Sequence, residues 1–518
     1  MVEQVVMSSR SIFRNKTLMG VIGFLAWSVV FGIVYAQSPV YTSNQNQYFL
    51  HGIAHAGEGY LAHDWLANTI DPAPMFSLLV EGTYLICKNG ALFYFYYAIL
   101  MGIYLFSLFG ISDLVFDLRR SRSRSLLFMV VFLGVHSALA HYLFSRVLGT
   151  EKPFLLEGGV AGQRLLGQVF QPSIFGVFLL LSIYLFLKNR SFLSMFSFLV
   201  AVTFHSVYLL SATVLTLGYL WVIFRKKRNL KSPALFATMA LLLVAPVTAY
   251  TFFVFKPTSM ELIRQSNEIL VNYRIPSHAI VSQWLDWSVA VQVMIVVAAL
   301  VVVRKHHLFP ILGILVLGAT ILTVVQVVIK SNTLALVFPW RLSVVIVPIS
   351  TSILLAFSIT KILDAWKADP TKVEHWIRIT CMVLLAGLIF VGAARFQIEL
   401  ARKNEDPAKP LMAFVSTHKA ENETFLVPLK MEDFRLATGA PIFVDFKSIP
   451  YRDSDVLEWY RRYHQASLFY QNADCTLLPV FQEQGITHVV LPAEFPVNCT
   501  GIRELYRDSA FGLYLIEN

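Results

Sequence analysis

Between residues 44 and 71 the chain gathers Asn44, Gln45, Asn46, His51, His55, Glu58, His63, Asp64 and Asp71 beside strongly apolar sequence. Ionisable groups held at a lipid boundary are costly unless they line water or a partner, which makes each a candidate for function. A carboxylate in such a place suits two tasks. It can deprotonate an acceptor hydroxyl as a general base, or hold a divalent cation (Mg or Mn) against a phosphate. Asp64 and Asp71 are the candidates. A plain amphipathic helix meeting water is the alternative for any one of these residues. His51 and His55 lie four apart and Glu58 follows a turn later, a helical face with ligand types suited to zinc. The HExxH order is absent, however, and imidazoles at a bilayer surface also serve as hydrogen-bonding anchors, so the metal stays open.

Three later segments add polar groups. The stretch around 150–173 brings Glu157, Gln163, Arg164 and Gln171, with glycines that form no phosphate loop because the GK[ST] ending is missing. The segment NYRIPSHAIVSQWLDW carries Arg274, His278 and Trp284, and VFPWRLS carries Trp340 and Arg341. Arginines outside the main basic blocks point to an anionic ligand at the membrane surface, and phosphate is the commonest such group. Snorkelling toward lipid headgroups beside a tryptophan belt is the competing account. His205 and His278 would line a cavity among these groups, and Trp284 or Trp340 would offer a flat aromatic face to a ligand there.

The elements that must position these residues are membrane helices. Hydrophobic residues make up 56% of the 518 and charged ones 14%, and the mean hydropathy is +0.62, too apolar for a soluble chain of this length. Lys and Arg cluster in short blocks at the ends of apolar runs: Arg10 to Lys16, Arg119 to Arg124, Arg225 to Arg228, Arg304 and Lys305. That is the positive-inside pattern, and it accounts for the +10 net charge without nucleic acid. Placing the blocks in the cytoplasm gives about eleven crossings, each long enough for a core of roughly 30 Å. The N-terminus is then cytoplasmic, the membrane is read as a bacterial inner membrane, and 74–88 is an interfacial or re-entrant helix. The apolar stretch between Arg190 and Arg225 is broken near 203–206.

The division expected is a cytoplasmic tail at 1–17, a transmembrane region at 18–396 with a first outer loop at 37–91, and an extracytoplasmic domain at 397–518. The last has ordinary soluble composition and reads as a small α/β domain. Its expected strands are 424–429, 441–446, 487–492 and 512–517, paired in parallel, with helices near 453–470 and 476–484. Arg435, Asp445 and Lys447 read as charges on a solvated face that shapes acceptor access. Cys475 and Cys499 are spaced to close a modest loop, so a disulfide is compatible with that side of the membrane but not demanded.

The whole chain resembles the GT-C class of integral membrane glycosyltransferases, with its long first outer loop, broken helices and terminal α/β domain. The segments NQNQYFLHGIA, HDWLANTIDPAP, GQRLLGQVFQPSIFG, FHSVYLLS, FPWRLS and FRLATGAPIFVDFKSIPYRDSDVLEWYRR are similar to an uncharacterised bacterial membrane family of that build. The resemblance implies a sugar donor on a polyprenyl phosphate, a glycan, lipid or protein acceptor, and an acidic residue of the first loop as base or cation holder, which points to Asp64 with Asp71 second. One departure stands out, because Asn44-Gln45-Asn46-Gln47 occupies the place of the usual acidic pair, and amides bind sugar hydroxyls but take no proton. Three other readings stay open: a transporter or flippase of a lipid-linked or anionic substrate, a metal-independent polysaccharide ligase or polymerase using Arg274 and His278, and a non-catalytic envelope scaffold.

Overall fold

The computed structural model describes residues 2–149, 152–366, 370–496 and 499–517. Backbone polar groups in hydrocarbon have no water to bond, so the apolar runs become helices that satisfy themselves. Among the described residues seven helices are long and apolar enough to cross a membrane, or eight if the bent pair Arg122–Val135 and Ala138–Leu148 is one span. Shorter apolar helices at Pro172–Leu187, Ser191–Phe204 and Trp287–Val303 occupy other expected crossings. The protein is therefore a polytopic helical membrane protein. Helix Val2–Tyr35 packs on Leu92–Phe116 and on Pro370–Asn404. These contacts are close because small residues sit in them: a Cβ at Gly102 would enter Ser28, and one at Gly392 would enter the Ile33 carbonyl.

Two helices break, and both breaks carry polar groups inward. The bent pair turns by 48° at His136 and Ser137, where Ser137 caps the second half through the Ala140 N–H at 3.1 Å. This turn aims His136 and His141 at Glu157, which is 4% exposed. Tyr35 Oη donates to Glu157 Oε1 at 3.0 Å, His141 Nε2 lies 2.9 Å from the same oxygen, and His136 Nε2 lies 3.4 Å from Oε2. The carboxylate thus ties the second loop to three helices. Glu157→Gln is expected to lower stability by about 1–2 kcal/mol, seen as a reduced Tm of the detergent-solubilised protein. The second break is at His205, between Ser191–Phe204 and the turn Ser206–Tyr208 that leads into Leu209–Lys227.

Helix Pro370–Asn404 continues past the junction expected at 397, so the change of composition does not mark the end of the helix. Beyond it lies a four-stranded sheet: β1 Phe425–Leu426, β2 His488–Pro492, β3 Ile502–Arg507 and β4 Phe511–Ile516, in the order β1-β2-β4-β3. The expectation of parallel pairing is corrected here. Only β1 and β2 are parallel, and β2-β4 and β3-β4 are antiparallel. The segment 441–446 contributes a single bridge, Phe425 to Ile442. Period-two alternation sends Val489 and Leu491 toward Trp459, Phe469 and Phe481 on one face, and Val490 toward Leu411, Val415 and Phe434 on the other. A disulfide joins Cys475 to Cys499.

Candidate functional site

The domain is held against the first loop by its least exposed charges. Arg435 is 2% exposed; its Nε donates to Asp64 Oδ2 and its Nη1 to Asp445 Oδ2, both at 2.7 Å. Asp64 is fully buried, and its oxygens also accept from the N–H groups of Leu66, Ala67 and Ile442. Burial opposes the charge on Arg435, but Asp64 and Asp445 outweigh it and raise its pKa. The reading of Asp64 as catalytic base is thereby corrected, since both oxygens are engaged and no substrate oxygen has a way in. Arg435 and Asp445 are equally far from the solvated face expected of them. Around this triad the Tyr60 N–H donates to the Gly439 carbonyl at 2.8 Å, and the Arg462 guanidinium lies 4.3 Å from the centre of the Trp65 ring.

Asp71 has a different environment. It is half-buried in a small, narrow cleft lined by Gln47, Tyr48, His51, Asp71 and Tyr451, with Leu66, Ile70, Pro72 and Ile449 as the apolar wall. Its Oδ1 accepts from the Ala73 N–H at 2.8 Å, and Tyr250 Oη donates to its carbonyl at 2.8 Å. No group among the described residues donates to Oδ2. Burial pushes the pKa of neighbouring His51 down, against the pull of Asp71, so the imidazole is neutral at neutral pH. The terminal domain closes one wall: Gln47 Nε2 donates to Tyr451 Oη at 2.8 Å and to the Ile449 carbonyl at 3.2 Å, and the hydroxyls of Tyr48 and Tyr451 are 3.2 Å apart.

Behind this tyrosine pair lies a group of cations. Arg341 Nη1 donates to His205 Nε2 at 3.4 Å, and the His205 ring stands edge-on to Tyr48 with centroids 6.3 Å apart. Arg274, at the end of the π-helical turn Ile269–Arg274, donates to the Lys447 carbonyl at 2.6 Å and covers the Phe446 ring. His278 Nδ1 bonds the Ala161 carbonyl at 2.6 Å, and Arg164 lies over Phe154. Tyr48 and Tyr451 are within electrostatic reach of both Arg274 and Arg341, and His278 of Arg341, Arg164 and Lys447. Burial lowers the pKa of Arg274, and burial followed by the neighbouring cations lowers those of His278 and Lys447. Among the described residues none of Arg164, Arg274, Arg341 and Lys447 forms an ion pair with a carboxylate.

Two of these arginines and two tryptophans leave donors unmet. Arg274 Nε, Arg341 Nε, Trp284 Nε1 and Trp340 Nε1 are buried donors without an acceptor, and the two indoles pack together with centroids 5.2 Å apart. A buried donor left unmade costs about 1–3 kcal/mol. Such a set is suited to a ligand rich in acceptor oxygens.

Other expected site residues lie elsewhere. Asn44 Nδ2 donates to Gln171, and Gln45 bonds the Tyr41 N–H and the Phe170 carbonyl, so these amides bind the first loop to the second. Asn46 and Gln163 are buried, and Asn46 Oδ1 has no partner. His63 is exposed and faces Glu421. The metal face proposed for His51, His55 and Glu58 does not assemble, because His55 turns to Glu81 and Glu58 to Lys88. Among the described residues no three His, Cys, Asp or Glu side chains converge as metal ligands. Sequence reading missed Tyr48 and Tyr451, and an aromatic adjoining an amide run carries no signal of its role until its partner is known.

Fold and site thus define a polytopic membrane protein with a cleft of donors and one open carboxylate, closed by its own terminal domain. A family described as Domain of unknown function (DUF6798) matches residues 406–466. No curated protein matches the chain. Among solved structures, the chain is similar to the crystal structure of ArnT from Cupriavidus metallidurans bound to undecaprenyl phosphate, at 12% identity and a TM-score of 0.45, covering 96% of this chain and 97% of that one.

Proposed function

We propose that the protein is a GT-C-type membrane glycosyltransferase, moving a sugar from a polyprenyl-phosphate-linked donor to a glycan, lipid or protein acceptor at the outer face of the membrane. The observation that carries this reading is the set of buried donors without acceptors, Arg274, Arg341, Trp284 and Trp340, beside a cleft whose one open carboxylate is Asp71. The arginines hold the carrier phosphate and offset charge growing on it as the bond to the sugar breaks. The indoles offer a face and an N–H to the sugar. Asp71 takes the acceptor's proton in a single displacement, which inverts the anomeric carbon. If a divalent cation (Mg or Mn) takes part, Asp71 would be the one carboxylate of the cleft to hold it, and its charge would add to that of the arginines in offsetting the phosphate.

The test is binding of a panel of polyprenyl-phosphate sugars to the protein in nanodiscs. Arg341→Ala is expected to weaken binding about ten- to a hundredfold, the value of a charge-assisted hydrogen bond. Unchanged affinity would sink the phosphate role.

A metal-independent ligase or polymerase is the second reading, and His278 is the observation that favours it. His278 Nδ1–H donates to the Ala161 carbonyl, which leaves the unprotonated Nε2 as a base with no protein partner among the described residues. That reading predicts turnover lost in His278→Gln and kept in Asp71→Asn.

A further inference from the structure

One of the candidate phosphate-holding arginines is held in place by the terminal domain, through bonds that converge on Asp445; the inference drawn from them rests on the donor reading above. Each oxygen of that residue is engaged. Its Oδ2 accepts from Arg435 Nη1 at 2.7 Å, its Oδ1 from the Ser448 N–H at 2.6 Å, and its carbonyl from Trp459 Nε1 at 3.0 Å. The side chain thus closes a local turn onto the backbone three residues on, and Arg435 ties that turn to Asp64 of the first loop. The Phe446 N–H donates to the Leu429 carbonyl at 3.2 Å, and Pro450 fixes its own φ at the far end of the segment.

What 445–451 presents falls on two parts of the site. Near its start, the Phe446 ring lies against the Arg274 guanidinium, whose Cζ is 4.7 Å from the ring centre, and the Lys447 carbonyl accepts from Arg274 Nη2 at 2.6 Å. Near its end, the Ile449 carbonyl and Tyr451 Oη accept from Gln47 Nε2 on the wall of the Asp71 cleft. Arg274 itself comes from the π-helical turn Ile269–Arg274, outside the domain. With its face covered and Nη2 committed, the direction of its unmet Nε is set by Phe446 and Lys447. An arginine already held loses less side-chain freedom when a ligand arrives. We infer that Asp445 is a positioning residue: with Arg435 it shapes 445–451 into a bracket that orients Arg274 toward a phosphate-bearing ligand and holds Gln47 at the cleft, so that docking of the terminal domain and binding of that ligand are linked. Such linkage is reciprocal, and bound ligand resists release of the domain by the same factor that the docked domain adds to affinity.

The experiment measures binding of undecaprenyl phosphate to the full chain in nanodiscs, per folded molecule, together with proteolysis near 397–409 with and without the lipid. Phe446→Leu, which leaves the Asp64, Arg435 and Asp445 side chains in place, is expected to weaken binding about tenfold, and Phe446→Tyr, which keeps the ring, to restore it. Asp445→Asn should weaken binding at least as much, and its amide oxygen still accepts the Ser448 N–H. The lipid should slow cleavage of the wild type and slow it less in Phe446→Leu. A purely structural Asp445 would change Tm and cleavage of the lipid-free protein but not affinity per folded molecule. Wild-type affinity in both Phe446→Leu and Asp445→Asn, or cleavage indifferent to the lipid, overturns the linkage and leaves the glycosyltransferase reading standing. If Asp445→Asn does not fold, the Phe446 pair decides alone. No binding of the lipid by the wild type overturns both.

Discussion

Arg435→Met is expected to release the terminal domain from the first loop and to destabilise the protein by about 3–5 kcal/mol, the usual cost of stripping one partner from a buried ion pair. Here the loss is compounded, because Asp64 and Asp445 are both fully buried and would face each other with no cation between them. Arg435→Lys should rescue little. The guanidinium gives Nε to one carboxylate and Nη1 to the other in a fixed planar fork, which a single ammonium cannot reproduce. Asp64→Asn should cost less, since an amide oxygen still accepts the Leu66 and Ala67 N–H groups. Limited proteolysis near 397–409 and thermal unfolding read both effects. Wild-type protease resistance in Arg435→Met would show that the domain is held chiefly by its other contacts. Those include Thr258, which gives both its N–H and its hydroxyl to Asp453 at 2.7 Å.

The membrane part of this architecture was legible in the sequence because it follows from local chemistry. Runs of apolar residues and the basic blocks that end them announce helices, and the polar group TFHS in an apolar stretch announces the break found at His205. The terminal domain was half legible. Its helix Asp453–Asn472 and strands β2 and β4 fall where patterning puts them. Strand β3 was missed because IRELYR lies at the sheet edge with mostly exposed side chains and reads as a polar loop. PIFVDF has the composition of a strand, but Asp445 within it turns the chain to receive Arg435, so its pairing stops after one bridge. The site was legible as a list of residue types and not as an arrangement. Asp64 and Arg435 are 371 positions apart, and Tyr48 and Tyr451 403 apart. No local pattern tells a carboxylate destined for a buried triad from one destined for a cleft.

That distinction sets the second large effect, which is kinetic. Asp71→Asn is expected to reduce turnover about a hundredfold to ten-thousandfold, the range for losing a positioned general base, with donor affinity and Tm close to wild type. The backbone argues for the selective loss. Pro72 and Pro74 stiffen the chain just after the residue, Tyr250 fixes its carbonyl, and the Ala73 N–H orients Oδ1, a bond that the amide oxygen of Asn keeps. Only the proton-accepting ability of Oδ2 is removed, so kcat should fall while KM for the donor holds. Asp64→Asn should show the opposite pattern, with lowered stability and turnover per folded molecule largely retained. Single-turnover measurements on matched amounts of folded protein separate the two. Should Asp71→Asn retain turnover while His51→Gln or His278→Gln abolishes it, proton transfer belongs to an imidazole. His51 meets that demand through burial, which keeps it neutral beside Asp71, and His278 through an Nδ1 already committed to the Ala161 carbonyl. The three substitutions together therefore place the base on one side or the other of the Tyr48–Tyr451 pair, with Asp71 and His51 in the cleft and His278 among the cations behind it.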